Sequence, residues 1–132
     1  MIVGLGMDLV SLARIEKMLA RWDDRIVLRV MTESERAAMP AGARRVEYFA
    51  GRIAAKEAAS KALRVPDGIS WQDAEVLPAR PMPPRLVFHR VALARAKALG
   101  ATRTLLTLTH DAGVAVAVVI LESEAMTMEH VE

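Results

Sequence analysis

The stretch Phe49 to Arg64, FAGRIAAKEAASKALR, can fold into little other than the centre of a long helix. Ala50, Ala54, Ala55, Ala58, Ala59 and Ala62 are strong helix formers that bring no side-chain bulk. Into that background the chain sets Arg52, Lys56, Glu57, Lys61 and Arg64. Glu57 and Lys61 are four apart and share a face, with Arg64 close to it. From spacing alone the commoner meaning of such a pair is a solvated ion pair worth about 0.2–0.5 kcal/mol. A functional meaning needs partners from elsewhere in the chain.

The helix is expected from about Ala43 to Leu63, stopped by Val65-Pro66-Asp67-Gly68. Upstream, Ile2 to Val10 reads as a strand suited to a sheet interior, with Gly4 and Gly6 permitting close backbone approach. Asp8 interrupts that apolar run. Ser11 is the better cap for the helix that follows, which leaves Asp8 free, and a carboxylate at the end of a buried strand often serves function. Leu12 to Arg21 is an amphipathic helix with Leu12, Ile15 and Leu19 on its core side. Arg14, Lys17, Met18 and Arg21 lie on its other faces, with Arg25 beyond. A solvated basic face is the ordinary meaning; the functional one is a dock for an acidic helix, with Met18 as an apolar contact. Thr32-Glu33-Ser34-Glu35 fits a capping box and starts a short helix ending near Met39.

The second half alternates. Trp71 to Leu77 reads as a strand, Pro78 to Pro84 as a loop barred from a sheet interior, and Arg85 to His89 as a short strand. Val91 to Leu99 is a helix closed by Gly100. Thr104 to His110 and Val114 to Leu121 form a hairpin about Asp111-Ala112-Gly113, with His110 at its mouth, where a lone histidine is usually a turn residue. The chain reads as one small domain over residues 1–121, with a polar tail over 122–132.

Composition excludes several chemistries. With no cysteine there is no disulfide frame, thiolate metal site or thiol nucleophile. Histidines at 89, 110 and 130 are too scattered for a zinc site. No apolar run reaches the length of a membrane span, and no signal-peptide pattern opens the chain, so the cytoplasm is expected. Aromatics are only 4% of 132 residues, so the core must be aliphatic, and a domain this small gains buried surface by oligomerising. The net charge is +2, but only Lys17, Lys56, Lys61 and Lys97 among the eighteen cations are lysines. Arginine favours forked contacts to phosphate and carboxylate, although a GC-rich genome produces the same bias.

Asp8, Glu57, Lys61 and His110 are thus polar residues among apolar or small ones. Two carboxylates from different elements can hold Mg²⁺, and a lysine one turn from the glutamate can meet a phosphate oxygen on it. Neither a Walker A loop nor Gly-x-Gly-x-x-Gly occurs. The residues alone point to metal-assisted chemistry on a phosphate in an oligomer.

The chain also resembles a known family. GMDLVSLARIE at 6–16, FAGRIAAKEAASKAL at 49–63, WQDAEVL at 71–77 and LTLTHDAGVAVAVVI at 106–120 are similar, in order, to the motifs of holo-acyl-carrier-protein synthases, the short 4'-phosphopantetheinyl transferases. The resemblance implies an α+β domain with a long central helix on a mainly antiparallel sheet. It implies homotrimers with an active site in each cleft between subunits. It implies transfer of 4'-phosphopantetheine from coenzyme A to a serine of an apo acyl carrier protein, with 3',5'-ADP leaving. By position, Asp8 and Glu57 would hold Mg²⁺, and Glu57 or a metal-held water would take the serine proton. Lys61 would neutralise charge on the pyrophosphate, and His110 would line the CoA site across the interface. Arg52 and Lys56 would contact phosphate or pair structurally. Arg14, Met18, Arg21 and Arg25 would dock the carrier.

Two segments depart from the pattern. Arg64-Val65-Pro66-Asp67-Gly68 replaces a Gly-Thr-Gly-like segment, and Met82-Pro83-Pro84 replaces Gly-Lys-Pro, removing a glycine and a cation near the nucleotide end. A trimeric carrier- or CoA-binding protein without turnover is the alternative within the same fold. An Arg-rich nucleic-acid binder would need aromatics interleaved with the basic helix, and most lie away from it.

Overall fold

The computed structural model describes residues 1–65 and 68–124. Strand β1 (Ile2–Ser11) leads into helix α1 (Leu12–Val30), short helix α2 (Glu33–Ala37) and long helix α3 (Arg44–Leu63). A single 3₁₀ turn (Trp71–Asp73) precedes β2 (Ala74–Ala79) and β3 (Met82–Phe88), then α4 (Arg90–Ala98), β4 (Arg103–Asp111) and β5 (Val114–Glu122). Two antiparallel sheets result, one in the order β1-β5-β4 and one formed by β2 and β3. This is the expected α+β fold, with α3 as the element against which the rest packs.

The caps act where the sequence puts them. Ser11 accepts a hydrogen bond from the Arg14 amide, and Thr32 and Glu35 complete a reciprocal capping box. Arg64 closes α3 in the left-handed region, at φ 55°. Helix α3 is buried on almost every side, with Ala54, Ala55, Ala58, Ala59 and Ala62 fully covered. Its small side chains let β1, β5 and the β2–β3 hairpin close on it to form one core. A second apolar cluster joins α1 to the first half of α3 through Ile15, Leu19, Val30, Met31 and Phe49.

Several expectations are corrected. Helix α1 does not end at Arg21: Asp23, at φ 27° and ψ −111°, breaks it sharply, and a second helical segment continues to Val30. Arg45 of α3 holds that break by an ion pair to Asp23 at 2.6 Å. Trp71 to Asp73 is the 3₁₀ turn, so the strand begins only at Ala74. The Pro78–Pro84 segment is not a loop, since β2 runs to Ala79 and β3 starts at Met82. A two-stranded ribbon has only edges, and a proline lacking its N–H is tolerated there. The register shifts between Leu77 and Ala79, around Pro78.

Strand β1 is an edge strand rather than an interior one. Its alternate residues face α3, while Leu5, Met7 and Leu9 on the other face are 60–65% exposed. Strand β5 extends one residue past the expected boundary at 121, and residues 125–132 of the expected tail lie outside the described residues. No helix among the described residues is long and apolar enough to cross a membrane.

Candidate active site

The corner that gathers the predicted carboxylates is made by glycine. A Cβ on Gly4 or Gly6 would overlap the carbonyl oxygens of Ala62 and Ala58, so β1 lies directly on the backbone of α3. Asp8 is on the same strand face as these glycines, two residues further along. It therefore meets the polar side of α3. The Lys61 ammonium donates to Asp8 Oδ1 and to the Met7 carbonyl, both at 3.0 Å.

The local Glu57–Lys61 ion pair allowed by spacing is not formed. The lysine turns to the strand, and among the described residues Glu57 has no ion-pair partner. Burial pushes the Glu57 carboxyl up, the Asp8 charge pushes it further, and Lys61 partly opposes them. A carboxylate held above its ordinary range is suited to accepting a proton.

Two cavities meet at this corner. The larger, of about 770 Å³, is lined by Glu57, Ser60, Lys61, Arg64, Ile69 and Trp71, among others. The smaller, of about 350 Å³, opens between Asp8 and Glu57 on one side and Arg14 and Met18 on the other, over Ile26 and Ile53. Ser60 and Trp71 had no site role in the sequence reading, and Arg64 was placed close to the Glu57–Lys61 face without one. The position of Arg64 one turn past Lys61 is the signal that could have assigned it to the site.

Asp8 and Glu57 supply hard oxygen donors, and the effect of Asp8 on Glu57 means that their charges are near enough to repel. A cation would relieve that repulsion. Among the described residues no group of three or more Asp, Glu, His or Cys is placed to hold a metal. Two carboxylates fit Mg²⁺, which keeps waters and phosphate oxygens in its shell, and not an ion that needs an all-protein cage.

Lys56 and Arg52 are placed differently from these three. The Lys56 ammonium is buried, and its three donors reach Glu35 Oε1 at 2.8 Å and the carbonyls of Trp71 and Ala74 at 2.8 and 2.7 Å. Of phosphate contact and structural pairing, the geometry gives Lys56 the pairing, because no donor remains for a ligand. Burial still pulls its pKa down, against the pull of Glu35. Glu35 is satisfied in turn by the amides of Thr32 and Val76.

Arg52 stacks over the Tyr48 ring at 3.8 Å, and its buried Nε has no hydrogen-bond partner among the described residues. It borders a third cavity, of about 180 Å³, together with Arg44, Tyr48, Arg80 and His110. His110 lies 3.7 Å from Glu47 there, and this cavity shares no lining residue with the two at the Asp8 corner. A single chain thus brings Asp8, Glu57 and Lys61 together and leaves His110 and Arg52 apart from them. Arg44 and Arg80 add cations to the third cavity that sequence reading did not count; Arg80 precedes the segment that lacks the family's lysine.

On α1, Arg14, Met18 and Arg21 line a shallow cavity of about 420 Å³ with Lys17 and Trp22. Arg25, past the helix break, does not border it, but its guanidinium is 5.9 Å from the Trp22 ring, with that of Arg21 at 4.8 Å on the same ring. Trp22 is therefore an aromatic within the basic face, 42% exposed, which sequence reading had left out of account.

Residues 4–119 match a family model described as the 4'-phosphopantetheinyl transferase superfamily. A holo-[acyl-carrier-protein] synthase of Nitratidesulfovibrio vulgaris is 50% identical over 125 residues, spanning 93% of this chain and all of that protein. A holo-[acyl-carrier-protein] synthase of Neisseria meningitidis superposes with a TM-score of 0.80 at 30% identity, covering 93% of this chain and 100% of the other. The synthase of Bacillus anthracis, solved in complex with CoA (3',5'-ADP), gives a TM-score of 0.75 at 38% identity, covering 94% and 99%.

Proposed function

Since the chain belongs to the holo-[acyl-carrier-protein] synthases of the 4'-phosphopantetheinyl transferase superfamily, we propose that its Asp8–Glu57–Lys61 corner is where phosphopantetheine passes from coenzyme A to an acyl carrier protein. The observation that carries this reading is that one corner joins two cavities of different character. The larger has a cationic side, Lys61 and Arg64, and an apolar side, Ile69 and Trp71. It suits the pyrophosphate and the phosphopantetheine arm of CoA. The smaller begins at Arg14 and Met18 on the basic helix and ends at Asp8 and Glu57. It suits the serine-bearing segment of an acidic carrier docked on α1, with Arg21, Arg25 and Trp22 around it.

The carrier's serine oxygen bonds to the β-phosphorus of CoA, the bond between that phosphorus and the bridging oxygen breaks, and 3',5'-ADP departs. Glu57, which lines both cavities, is placed to take the serine proton. Lys61 stabilises the charge that gathers on the bridging and non-bridging oxygens. Asp8 holds the Lys61 ammonium in place. Mg²⁺, held by Asp8 and Glu57, would supply charge neutralisation of the pyrophosphate when bound.

His110 and Arg52 take part through a neighbouring subunit. Their cavity, with Arg44 and Arg80, is basic enough for a nucleotide phosphate but does not open on the Asp8 corner of the same chain. A homotrimer whose protomers meet through the exposed Leu5–Met7–Leu9 face would supply the missing half. The cytoplasm, where CoA and carriers meet, is the compartment in this reading.

The test is the intact mass of apo acyl carrier protein after incubation with this protein, CoA and Mg²⁺. A gain of one phosphopantetheine, lost with EDTA, is expected. No gain with several carriers, despite CoA binding, would favour a binding protein without turnover.

A further inference from the structure

We propose that Trp71 is the partition between donor and acceptor: its indole packs against the phosphopantetheine arm on one side and against the carrier's serine-bearing segment on the other, setting their separation. The inference rests on the transferase reading above. Glu57 and Trp71 are the two residues common to the linings of both cavities at the Asp8 corner. Glu57 supplies charge there, and Trp71 supplies area. Trp71 shares the lining of the larger cavity with Val65 and Ile69 and that of the smaller with Ile26, Val30 and Ile53, and it packs against the apolar cluster that holds Val30 and Ile53. The phosphopantetheine arm carries a dimethyl group and two amides, which suits a flat apolar wall with one N–H donor.

The base of this wall is clamped from three helices. The Trp71 carbonyl accepts from Lys56 Nζ of α3 at 2.8 Å. The Gln72 amide donates to the Leu28 and Met31 carbonyls at the end of α1, at 2.8 and 3.1 Å. Asp73 accepts from Arg90 Nε of α4 at 2.7 Å. Lys56 immediately precedes Glu57, so the buried lysine ties the wall to the carboxylate that stands beside it. A wall already held in place costs little entropy to use when two substrates must be brought to reacting distance. Lys56, read from the sequence as a phosphate ligand or a structural partner, thereby becomes a positioning residue for Trp71.

The chain has two tryptophans, so Trp22→Phe leaves Trp71 as the sole reporter. In that variant CoA is expected to shift or quench the emission, 3',5'-ADP, which lacks the arm, to leave it unchanged, and saturating apo carrier to change it independently. In an otherwise unaltered chain, Trp71→Ala is expected to raise KM for CoA and for carrier by about tenfold or more each, and Trp71→Phe by much less. A merely structural tryptophan would lower the melting temperature and the active fraction without moving both KM values. Should Trp71→Ala fail to fold, the emission experiment still decides, because it leaves Trp71 in place. Emission silent to both substrates, or both KM values unchanged in Trp71→Ala, overturns the proposal while leaving the transferase reading standing. Absence of phosphopantetheine transfer by the unaltered protein removes both.

Discussion

Gly6 lies so close to Ala58 that a methyl group on the glycine would overlap the helix carbonyl oxygen. The contact is with backbone on both sides, so neither partner can turn away. Gly6→Ala is expected to cost about 1–3 kcal/mol or more, at the upper end for overpacking. Because Asp8 is carried on the same strand, the variant should also lose transfer activity beyond its unfolded fraction. Urea unfolding and activity per folded molecule check the two effects; unchanged stability would mean that β1 does not rest on α3 as described.

Asp8→Asn and Glu57→Gln remove charge from partly exposed positions and should leave stability within about 0.5 kcal/mol. Each is expected to lower turnover by at least about 10²-fold. Lys61→Ala should reduce kcat more than it raises KM for CoA, since its contact strengthens as the pyrophosphate bond breaks. Equal changes in both would make Lys61 a ground-state binding residue only. Steady-state kinetics on variants of verified fold gives the answer.

Lys56 and Glu35 form a buried pair at 2.8 Å, both side chains essentially inaccessible. Lys56→Ala leaves Glu35 charged and uncompensated and is expected to cost about 3–5 kcal/mol. Replacing both, with Lys56→Gln and Glu35→Gln, removes the unpaired charge and should recover part of that loss. A double variant no better than Lys56→Ala, by denaturant titration, would assign the cost to lost packing instead.

Glu75 gives a pH dependence. Its partial burial opposes ionisation, but hydrogen bonds from the Ser34 and Thr32 hydroxyls and from His89 outweigh it, and the carboxyl is held down to about 2. A depressed folded pKa contributes stability above the unfolded value of about 4.3 and loses it as pH falls through the folded one. The melting temperature of the wild type should therefore exceed that of Glu75→Gln by its full margin near pH 5. The gap should narrow steadily below about pH 4.3. A gap independent of pH across that window would mean that Glu75 contributes through packing alone.

Leu5, Met7 and Leu9 form an apolar row on an edge strand, each at least 60% exposed in the single chain. Such a row is unusual on a monomer's surface. Leu5→Glu combined with Met7→Glu is expected to yield folded monomers by sedimentation. If the site is shared between subunits, those monomers should be inactive despite an intact Asp8 corner, because His110 and Arg52 would no longer be supplied by a neighbour. Active monomers would remove the shared-site reading.

Local chemistry was legible in the sequence wherever it depends on near neighbours. The alanine run, the caps at Ser11 and Thr32 and the Gly113 hairpin each specify their element within a few residues. Asp8, Glu57 and Lys61 stood out because they interrupt apolar or small-residue stretches. What the sequence left open is which charge meets which. Lys61 had a ready partner one turn away in Glu57 yet bonds Asp8, 53 residues distant, because the glycines of β1 bring that strand onto the helix. Lys56, next to Glu57, faces the interior because successive helical residues point about 100° apart, and Glu35 from α2 arrives there to meet it. The broken α1, the Trp71 turn shared by two cavities and the separation of His110 from the Asp8 corner likewise depend on how elements pack. Near neighbours along the chain set most of the elements and the chemical kit; packing set the pairings, because a charge takes whichever partner the fold brings within hydrogen-bond reach, and a buried one has no water to turn to instead.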